Sequence, residues 1–363
     1  TGEWESFKLT ELGKFIGGGT PSSSNLSFWA GSIPWISSSD IKEDSINNIS
    51  ISRYITEEAI EKSTTKYCPA PVILIVSRVG VGKVALSYTS LCTSQDFCNI
   101  IEIKCHPVFL SYNLLRTMKR KSREVQGTSI KGITSDELQK IRVFIPQDKD
   151  EQNKISNILT LLDERIATQN KIIEDLKKLK SAITDLLFHS IADAHTIRLG
   201  EIAHITNGAG DVQDANTEHQ EDWYPFFDRS EELKWFPTYS FDKEAVIYAG
   251  EGQSFYPRYY NGKFALHQRC YAIMDFASCI IPKYCYHFMN TLNSYFVRNS
   301  VGSTVPSLRM DIFQKVEIRL PPIPKQQHIC KIIDAFYTKL EVEQRGISIL
   351  QELKQFFFFF LFI

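Results

Sequence analysis

The chain has 363 residues, of which 43% are hydrophobic and 23% are charged, and its formal net charge is −1. This composition is typical of a folded globular protein and excludes the disordered and fibrous classes. The near-zero net charge excludes a polycation that binds nucleic acid through its overall charge. The length exceeds the usual size of one hydrophobic core, so we expect two domains with connecting helices. Eight cysteines without a CxxC pair and no recognisable signal peptide predict a reduced, cytoplasmic protein.

The first domain is predicted to span residues 1–146 and to mix strands with helices. Short apolar runs are separated there by Gly, Pro, Ser and Asn, which punctuate the elements of such a domain. The runs Pro71–Ser77 and Asn99–Ile103 predict strands, and Tyr112–Arg123 predicts a helix. The end of this helix carries a basic cluster, Lys119, Arg120, Lys121 and Arg123.

Residues 147–195 are predicted to form a long coiled-coil helix. Apolar side chains recur there at alternating spacings of four and three, which is the seam of a coiled coil. The seam residues are Ile155, Leu159, Leu162, Ile166, Ile173, Leu176, Ile183 and Leu187. Gln169 and Lys180 interrupt the seam. Polar residues at such positions lower stability but fix the register and orientation of paired helices.

The second domain, residues 196–321, repeats the first. Residues 127–146 (GTSIKGITSDELQKIRVFIP) align without a gap with residues 302–321 (GSTVPSLRMDIFQKVEIRLP). The identical pairs are Gly127/Gly302, Asp136/Asp311, Gln139/Gln314, Lys140/Lys315 and Pro146/Pro321. Strands are predicted at Ala245–Tyr248 and Cys270–Met274, and a helix at Lys283–Val297. A duplicated unit predicts a pseudo-twofold molecule, and twofold molecules commonly bind twofold objects.

Residues 322–363 are predicted to form a second coiled-coil helix that pairs with the first. Its seam residues are Ile329, Ile333, Phe336, Leu340, Ile347, Leu350, Phe357 and Leu361. Glu343 and Lys354 interrupt this seam at the same two steps as in the first helix, which favours pairing over two unrelated surface helices. The apolar run Phe356–Ile363 is predicted to be a buried helix end. The predicted fold class is therefore α+β: two mixed α/β domains joined by two long helices in an antiparallel intramolecular coiled coil, with pseudo-twofold symmetry.

Several segments resemble the specificity subunit of type I DNA restriction-modification systems. Residues 17–41 (GGGTPSSSNLSFWAGSIPWISSSDI) are similar to the opening of that family's target-recognition domain. Residues 73–86 (ILIVSRVGVGKVAL) and 94–97 (SQDF) resemble its next segments, and residues 252–271 resemble a different recognition-domain subtype. The Glu-Gln pair expected after the proline is Glu151–Gln152 in the first repeat but Lys325–Gln326 in the second, and the run of five Phe also departs from the family.

This resemblance covers essentially the whole chain. It implies a non-catalytic subunit whose two target-recognition domains each bind part of a bipartite, asymmetric site in double-stranded DNA. It also implies that two methyltransferase subunits dock on the helices and that restriction subunits join this core. No cofactor, metal or membrane partner is implied.

Polar and basic side chains on predicted turns are the candidate DNA contacts. Arg, Lys and hydroxyl groups bind phosphates, and Arg, Lys, Asn, Gln, Ser and Thr bind base edges. In the first domain the candidates are Ser37, Ser38 and Ser39 after a Trp, Arg78 and Lys83 around a Gly turn, and Gln126, Ser129 and Lys131 in a polar loop. In the second domain they are Arg258, Lys263, Arg269, Ser303 and Arg309. A solvated Ser turn that caps the next segment and a plain surface hairpin at the Gly turn are the alternatives for two of these segments.

No catalytic site is predicted. Residues 15–19 (FIGGG) fit the FxGxG pattern of adenine methyltransferases, but the [N/D]PP[Y/F] tetrapeptide that such enzymes need does not occur. Residues 80–83 (GVGK) lack the first Gly of a phosphate-binding loop and its Mg²⁺-binding hydroxyl. Cys279, Cys285 and His287 are too loosely spaced for a structural zinc site.

The predicted function is that of the DNA sequence-recognition subunit of a type I restriction-modification complex. The alternatives are a DNA-free coiled-coil scaffold that spaces two protein-binding domains, and the specificity part of a related methyltransferase or nuclease system. Salt-dependent DNA binding distinguishes the first alternative, because phosphate contacts make affinity fall with salt.

Overall fold

The computed structural model describes residues 3–125, 132–191, 194–302 and 304–362. The chain divides into two compact units, one made of residues 1–170 and 345–363 and the other of residues 171–344. Each unit contains one mixed α/β domain and a part of each of two long helices.

The first domain alternates short strands and short helices before the first long helix. Its strands are β1 (Trp4–Lys8), β2 (Lys14–Gly17), β3 (Ile33–Ile36), β4 (Arg53–Ile55), β5 (Tyr67–Cys68), β6 (Val72–Ile75), β7 (Val84–Ser87), β8 (Leu91–Thr93), β9 (Cys98–Ile101) and β10 (Arg142–Pro146). Its helices are α1 (Leu9–Leu12), α2 (Glu57–Glu61), α3 (Pro107–Val125) and α4 (Ser135–Lys140), followed by the long helix α5 (Lys149–His189). Single 3₁₀ turns lie at Leu26–Trp29 and Ser38–Asp40.

The second domain also alternates short strands and short helices before a long helix. Its strands are β11 (His195–Arg198), β12 (His204–Asn207), β13 (Tyr224–Phe227), β14 (Lys234–Phe236), β15 (Phe241–Ala249), β16 (Arg258–Leu266), β17 (Cys270–Met274) and β18 (Glu317–Leu320). Its helices are α6 (Leu199–Ile202), α7 (Pro282–Met289), α8 (Asn293–Asn299) and α9 (Met310–Gln314), followed by the long helix α10 (Ile323–Phe360), and a 3₁₀ turn lies at Val212–Asp214.

Two four-stranded sheets and a two-stranded ribbon build the first domain. One sheet has the strand order β2-β9-β6-β7 and the other β4-β3-β8-β5, and β1 pairs with β10 in the ribbon. The β6 sequence, VILI, is buried throughout, because its side chains contact the core on both faces of the sheet. The core includes Phe109 of α3 and Leu159 of α5, so the long helix is part of the domain's own packing.

One six-stranded sheet and a second ribbon build the other domain. The sheet has the order β12-β17-β15-β16-β13-β14, in which only the β13–β16 pair is parallel, and β11 pairs with β18 in the ribbon. Its core includes Tyr284 of α7, Phe188 of α5 and Ile329 of α10. The two ribbons hold equivalent short helices, because Leu9 N donates to Ile141 O at 3.0 Å in the first domain and Leu199 N donates to Val316 O at 2.8 Å in the second.

The long helices α5 and α10 lie antiparallel. In the first unit the buried Lys354 of α10 forms an ion pair with Asp163 of α5. In the second unit Lys180 Nζ of α5 lies 4.0 Å from the ring centroid of Tyr337 of α10. The numbers of the contacting residues therefore rise along α5 as they fall along α10, which is the pattern of antiparallel helices and confirms the predicted fold class. All the predicted seam residues are buried or half-buried, and their individual contacts across the pair stay a prediction.

Two sequence expectations about helices were wrong. The helix predicted at Lys283–Val297 is two helices, α7 and α8, separated at residues 290–292. At the break, Asn290 Nδ2 donates outside the helix to Tyr337 Oη at 3.0 Å, and Thr291 Oγ1 donates back to Phe288 O of α7 at 2.7 Å, so local side-chain bonds compete with continuation of the helix.

The terminal apolar run is only partly buried. Phe362 is buried, whereas Phe359 is 72% exposed and Phe360 is 63% exposed. A helix turns once in 3.6 residues, so five successive Phe side chains point in all directions and cannot share one buried face.

Candidate nucleic-acid interface

The predicted Ser turn forms a fixed polar network beside β3. Ser37 precedes the 3₁₀ turn, and both its N and its Oγ donate to Asp40 Oδ2, at 2.7 and 3.0 Å. Arg53 forms an ion pair with the same carboxylate, donates to Ser37 Oγ at 2.7 Å and lies 4.5 Å from the ring centroid of Trp35. Ser37 is the N-cap residue of the turn, and the exposed Ser39 shares a hydrogen bond of 2.9 Å with it. Contact of these serines with DNA stays a prediction.

The predicted Gly turn lies against the Ser turn. Lys83 Nζ donates to Ser38 O at 3.1 Å, which joins two segments that are far apart in sequence. Gly80 and Gly82 have φ angles of +87° and +113°, and residues with a Cβ atom rarely adopt this backbone conformation. A Cβ added at Gly82 would lie 3.2 Å from Ser122 Cβ, so the turn also borders the basic end of α3.

Arg78 is exposed at the start of this turn. The segment after residue 131 returns to it, since Ile133 N donates to Ser77 O at 2.7 Å. Arg78, Ser77 and Gly132 line one wall of an open cleft whose other residues include Gly18 and Gln95. The candidates Gln126, Ser129 and Lys131 lie outside the described residues, as does Ser303 in the second domain.

Arg258 is held inside the second domain. Its guanidinium donates to the carbonyls of Asp228 and Ser230, the latter at 3.0 Å, and lies 5.2 Å from the ring centroid of Phe227. Burial lowers the pKa of the Arg258 guanidinium. The side chain thus stabilises the loop after β13, and its contact with DNA stays a prediction. Lys263 is exposed on β16, with its Nζ 4.8 Å from the ring centroid of Tyr239.

Arg269 and Arg309 lie on neighbouring segments. Arg269 is exposed and forms an ion pair of 2.7 Å with Glu251. The chain next to Glu251 pairs with the segment before Arg309, because Leu308 N donates to Gly250 O at 2.7 Å. Arg309 is exposed at the start of α9. The structure therefore brings these two predicted contacts to one edge of the second domain.

A second open cleft lies beside Arg269. Its lining includes Arg229, His267 and Gln268, together with an ion pair of 2.7 Å between the half-buried Lys234 and the buried Asp228. Burial would raise the pKa of Asp228, but hydrogen bonds from Lys234 and Ser230 outweigh it and lower that pKa. Arg229 and Gln268 were missed in the sequence, where an isolated Arg or Gln has no distinguishing pattern.

No metal-binding arrangement of His, Cys, Asp and Glu occurs in the part of the chain that the structure describes. Cys279 and Cys285 are free thiols, and burial raises the pKa of Cys285. Among the described helices, none has the length and apolar character needed to cross a membrane. What these surfaces offer is a set of exposed Arg, Lys, Gln and Ser side chains on turns, which can bind phosphates and base edges.

Known proteins match both halves of the chain. A family model described as "Type I restriction modification DNA specificity domain" matches residues 1–178 and again residues 192–355. The type I restriction enzyme MjaIX specificity subunit of Methanocaldococcus jannaschii is 25% identical over 97% of this chain and 91% of its own. The EcoR124I/EcoR124II specificity subunit of Escherichia coli is 34% identical over 48% of this chain and 44% of its own.

Solved structures show the same fold. The S subunit of a type I restriction-modification system from M. genitalium has a TM-score of 0.66 at 16% identity and covers 100% of this chain and 96% of that one. A chain from a structure that concerns complex assembly and conformational transition of the type I R-M system has a TM-score of 0.62 at 15% identity, with 99% and 97% coverage.

Proposed function

Because the chain belongs to the type I restriction-modification DNA specificity family, whose subunits are non-catalytic, we propose that it binds a bipartite, asymmetric target in double-stranded DNA and docks methyltransferase and restriction subunits. The first target word is bound by residues 1–146 and the second by residues 196–321, with the helices 147–195 and 322–363 between them. The proposal places the protein in the cytoplasm, with its DNA.

The observation that supports DNA binding is that an exposed arginine lies at the equivalent edge of each domain. In the first domain the Gly turn carries Arg78 beside the segment that contains Ile133. In the second domain Arg269 lies beside the segment that leads to Arg309. Two domains with a shared frame and different side chains on equivalent turns suit two different DNA words.

A gel shift with mixed-sequence duplex tests DNA binding by the full chain. Several phosphate contacts predict that affinity falls about a hundredfold or more when salt rises from about 50 to 200 mM. An affinity that does not change with salt concentration, or the absence of binding, would instead support the DNA-free scaffold.

Equivalent apolar patches on the long helices support the docking of two methyltransferase subunits. Leu179 and Leu186 are exposed on α5, and Leu353 and Phe360 are exposed on α10. Each pair is separated by seven residues, so its members share one helix face. Leu179 follows the seam residue Leu176 by three positions, and Leu353 follows the seam residue Leu350 by three positions. The two pairs are therefore equivalent, and each unit carries one of these apolar patches.

Charge placed in either patch tests this docking. We expect Leu179→Glu or Leu353→Glu each to remove one methyltransferase subunit from the purified complex, because a charge opposes burial of the patch. Native mass measurement gives the subunit ratio, and Lys177→Glu, on an exposed neighbouring position of α5, is the control. An unchanged ratio in both Leu variants would exclude these patches.

A further inference from the structure

The two domains contain equivalent β-turns, each of which follows a strand that pairs in parallel with an earlier strand. In the first domain the turn is Ser94–Phe97, between β8 and β9, and Phe97 N donates to Ser94 O at 3.2 Å. In the second domain it is His267–Cys270, between β16 and β17, and Cys270 N donates to His267 O at 2.9 Å. Gln95 and Gln268 occupy the second position of these turns.

The turns are fixed by the same chain of backbone hydrogen bonds. In the first domain Asp96 O accepts from Ser77 N at 2.8 Å, and Ser77 O accepts from Ile133 N at 2.7 Å. The bonds of the second domain are Gly250 N to Arg269 O at 2.9 Å and Leu308 N to Gly250 O at 2.7 Å. The last donors, Ile133 and Leu308, are aligned residues of the internal repeat. The turns therefore hold equivalent places.

Glutamine is the one side chain that the two turns share. The neighbours differ in charge and size, since Asp96 stands where the second domain has Arg269. Both glutamines are exposed, so burial in a core does not explain why this residue type occurs twice. Gln95 Oε1 accepts a hydrogen bond from Thr20 Oγ1, which orients the amide and leaves the second lone pair of the oxygen and the NH₂ group to bind another molecule.

Each glutamine lines a cleft that also contains an exposed arginine. Gln95 shares its cleft with Arg78, and Gln268 shares its cleft with Arg229 and Arg269. Arginine binds phosphate, whereas a glutamine amide pairs with the N6 amino group and N7 of adenine in the major groove. The combination suits a duplex whose backbone is held while one base is bound.

We propose that Gln95 and Gln268 are equivalent specificity-determining residues, each of which binds the major-groove edge of one adenine in its own target word. The proposal rests on the proposed function, because it requires that each domain bind one word of double-stranded DNA.

Selection from a pool of randomised duplexes, with the full chain, tests it. For Gln95→Ala we expect discrimination at one adenine position of the first word to fall about 5- to 150-fold, with the second word unchanged. Gln268→Ala should do the same in the second word only. Gln95→Glu and Gln268→Glu should shift the preference at those positions toward cytosine, since a carboxylate accepts from the cytosine amino group. A merely structural glutamine would not produce this shift.

The controls are another pair of aligned glutamines, Gln139 and Gln314, which lie on α4 and α9 and line neither cleft. Their Ala variants should select the wild-type words. If the wild-type chain selects two words and the Gln95 and Gln268 variants select the same words, the inference is wrong while the proposed function stands. A uniform loss at all positions also overturns it. If the wild-type chain selects no sequence, the proposed function itself fails.

Discussion

At the scale of single residues, one buried glutamine in each repeat joins three segments of the fold. Gln152 Nε2 donates to Pro146 O at 2.8 Å, and Gln152 Oε1 accepts from His106 N at 3.1 Å. Gln326 Nε2 donates to Pro321 O at 2.8 Å, and its Oε1 accepts from the backbone N of residue 281 at 2.9 Å. Each amide ties the first turn of a long helix to the strand before it and to the start of a domain helix.

Gln326→Met should therefore destabilise the protein. The side chain keeps its length, but the buried carbonyl and N–H groups lose their partner, which costs about 2–4 kcal/mol in the free energy of unfolding. Denaturant unfolding measures this loss, with Lys325→Ala at the exposed neighbouring position as the control. A loss no larger than that of the control would show that this hydrogen bonding contributes little.

His287 should make stability depend on pH. Its imidazole is buried against α10, with Nε2 2.9 Å from Asp334 Oδ1, and burial lowers its pKa below the usual 6.5, against the raising effect of Asp334. Below that usual value the unfolded chain binds a proton that the folded chain resists, so stability is lost as pH falls.

We expect the melting temperature to fall between about pH 7.5 and 5.5 more steeply in the wild type than in His287→Gln. The comparison removes the contribution of His106, whose pKa burial also lowers and which both proteins contain. Parallel curves for the two proteins would contradict this role of His287.

At the scale of elements, the polar interruptions of the two seams have different partners. Lys354 pairs with Asp163, which also accepts from Tyr112 Oη at 2.9 Å and from Ser45 Oγ at 3.3 Å. Lys180 instead lies over the ring of Tyr337. The interruption at Lys354 therefore joins the helix pair to the first domain, which the sequence periodicity did not predict.

Lys354→Met should cost about 3–5 kcal/mol in the free energy of unfolding, because it leaves the Asp163 carboxylate buried without its cation. Lys180→Met is the matched control and should cost only about 0.5–1 kcal/mol, the value of one cation–π contact. The double variant Lys354→Met with Asp163→Asn should lose less than the sum of the two single losses. Denaturant unfolding of the four variants gives these values, and equal losses for the two Lys variants would exclude the buried ion pair as a stabilising contact.

The long helices could be predicted because their heptad spacing is a local, periodic pattern, and the repeat could be predicted because an alignment of two segments needs no tertiary contact. The sequence predicted the strand at Cys270–Met274 with the bounds that the structure has, since five β-branched or apolar residues lie between turns. It failed at residues 290–292, where a tertiary hydrogen bond ends a helix. It could not distinguish Arg258, which turns inward onto carbonyls, from Arg269, which is exposed, because the direction of a side chain at a strand end or in a turn depends on contacts between distant segments.

For the molecule as a whole, the proposed function requires that two domains with a shared frame bind two different words. The most direct measurement is the target that the unaltered chain selects from a pool of fully randomised duplexes. We predict two different words separated by a spacer that has a fixed length and no base preference. The two words are not inverted repeats of each other, so the target is not a palindrome. One continuous word, a palindrome or a selected pool without base preference would contradict the proposed function.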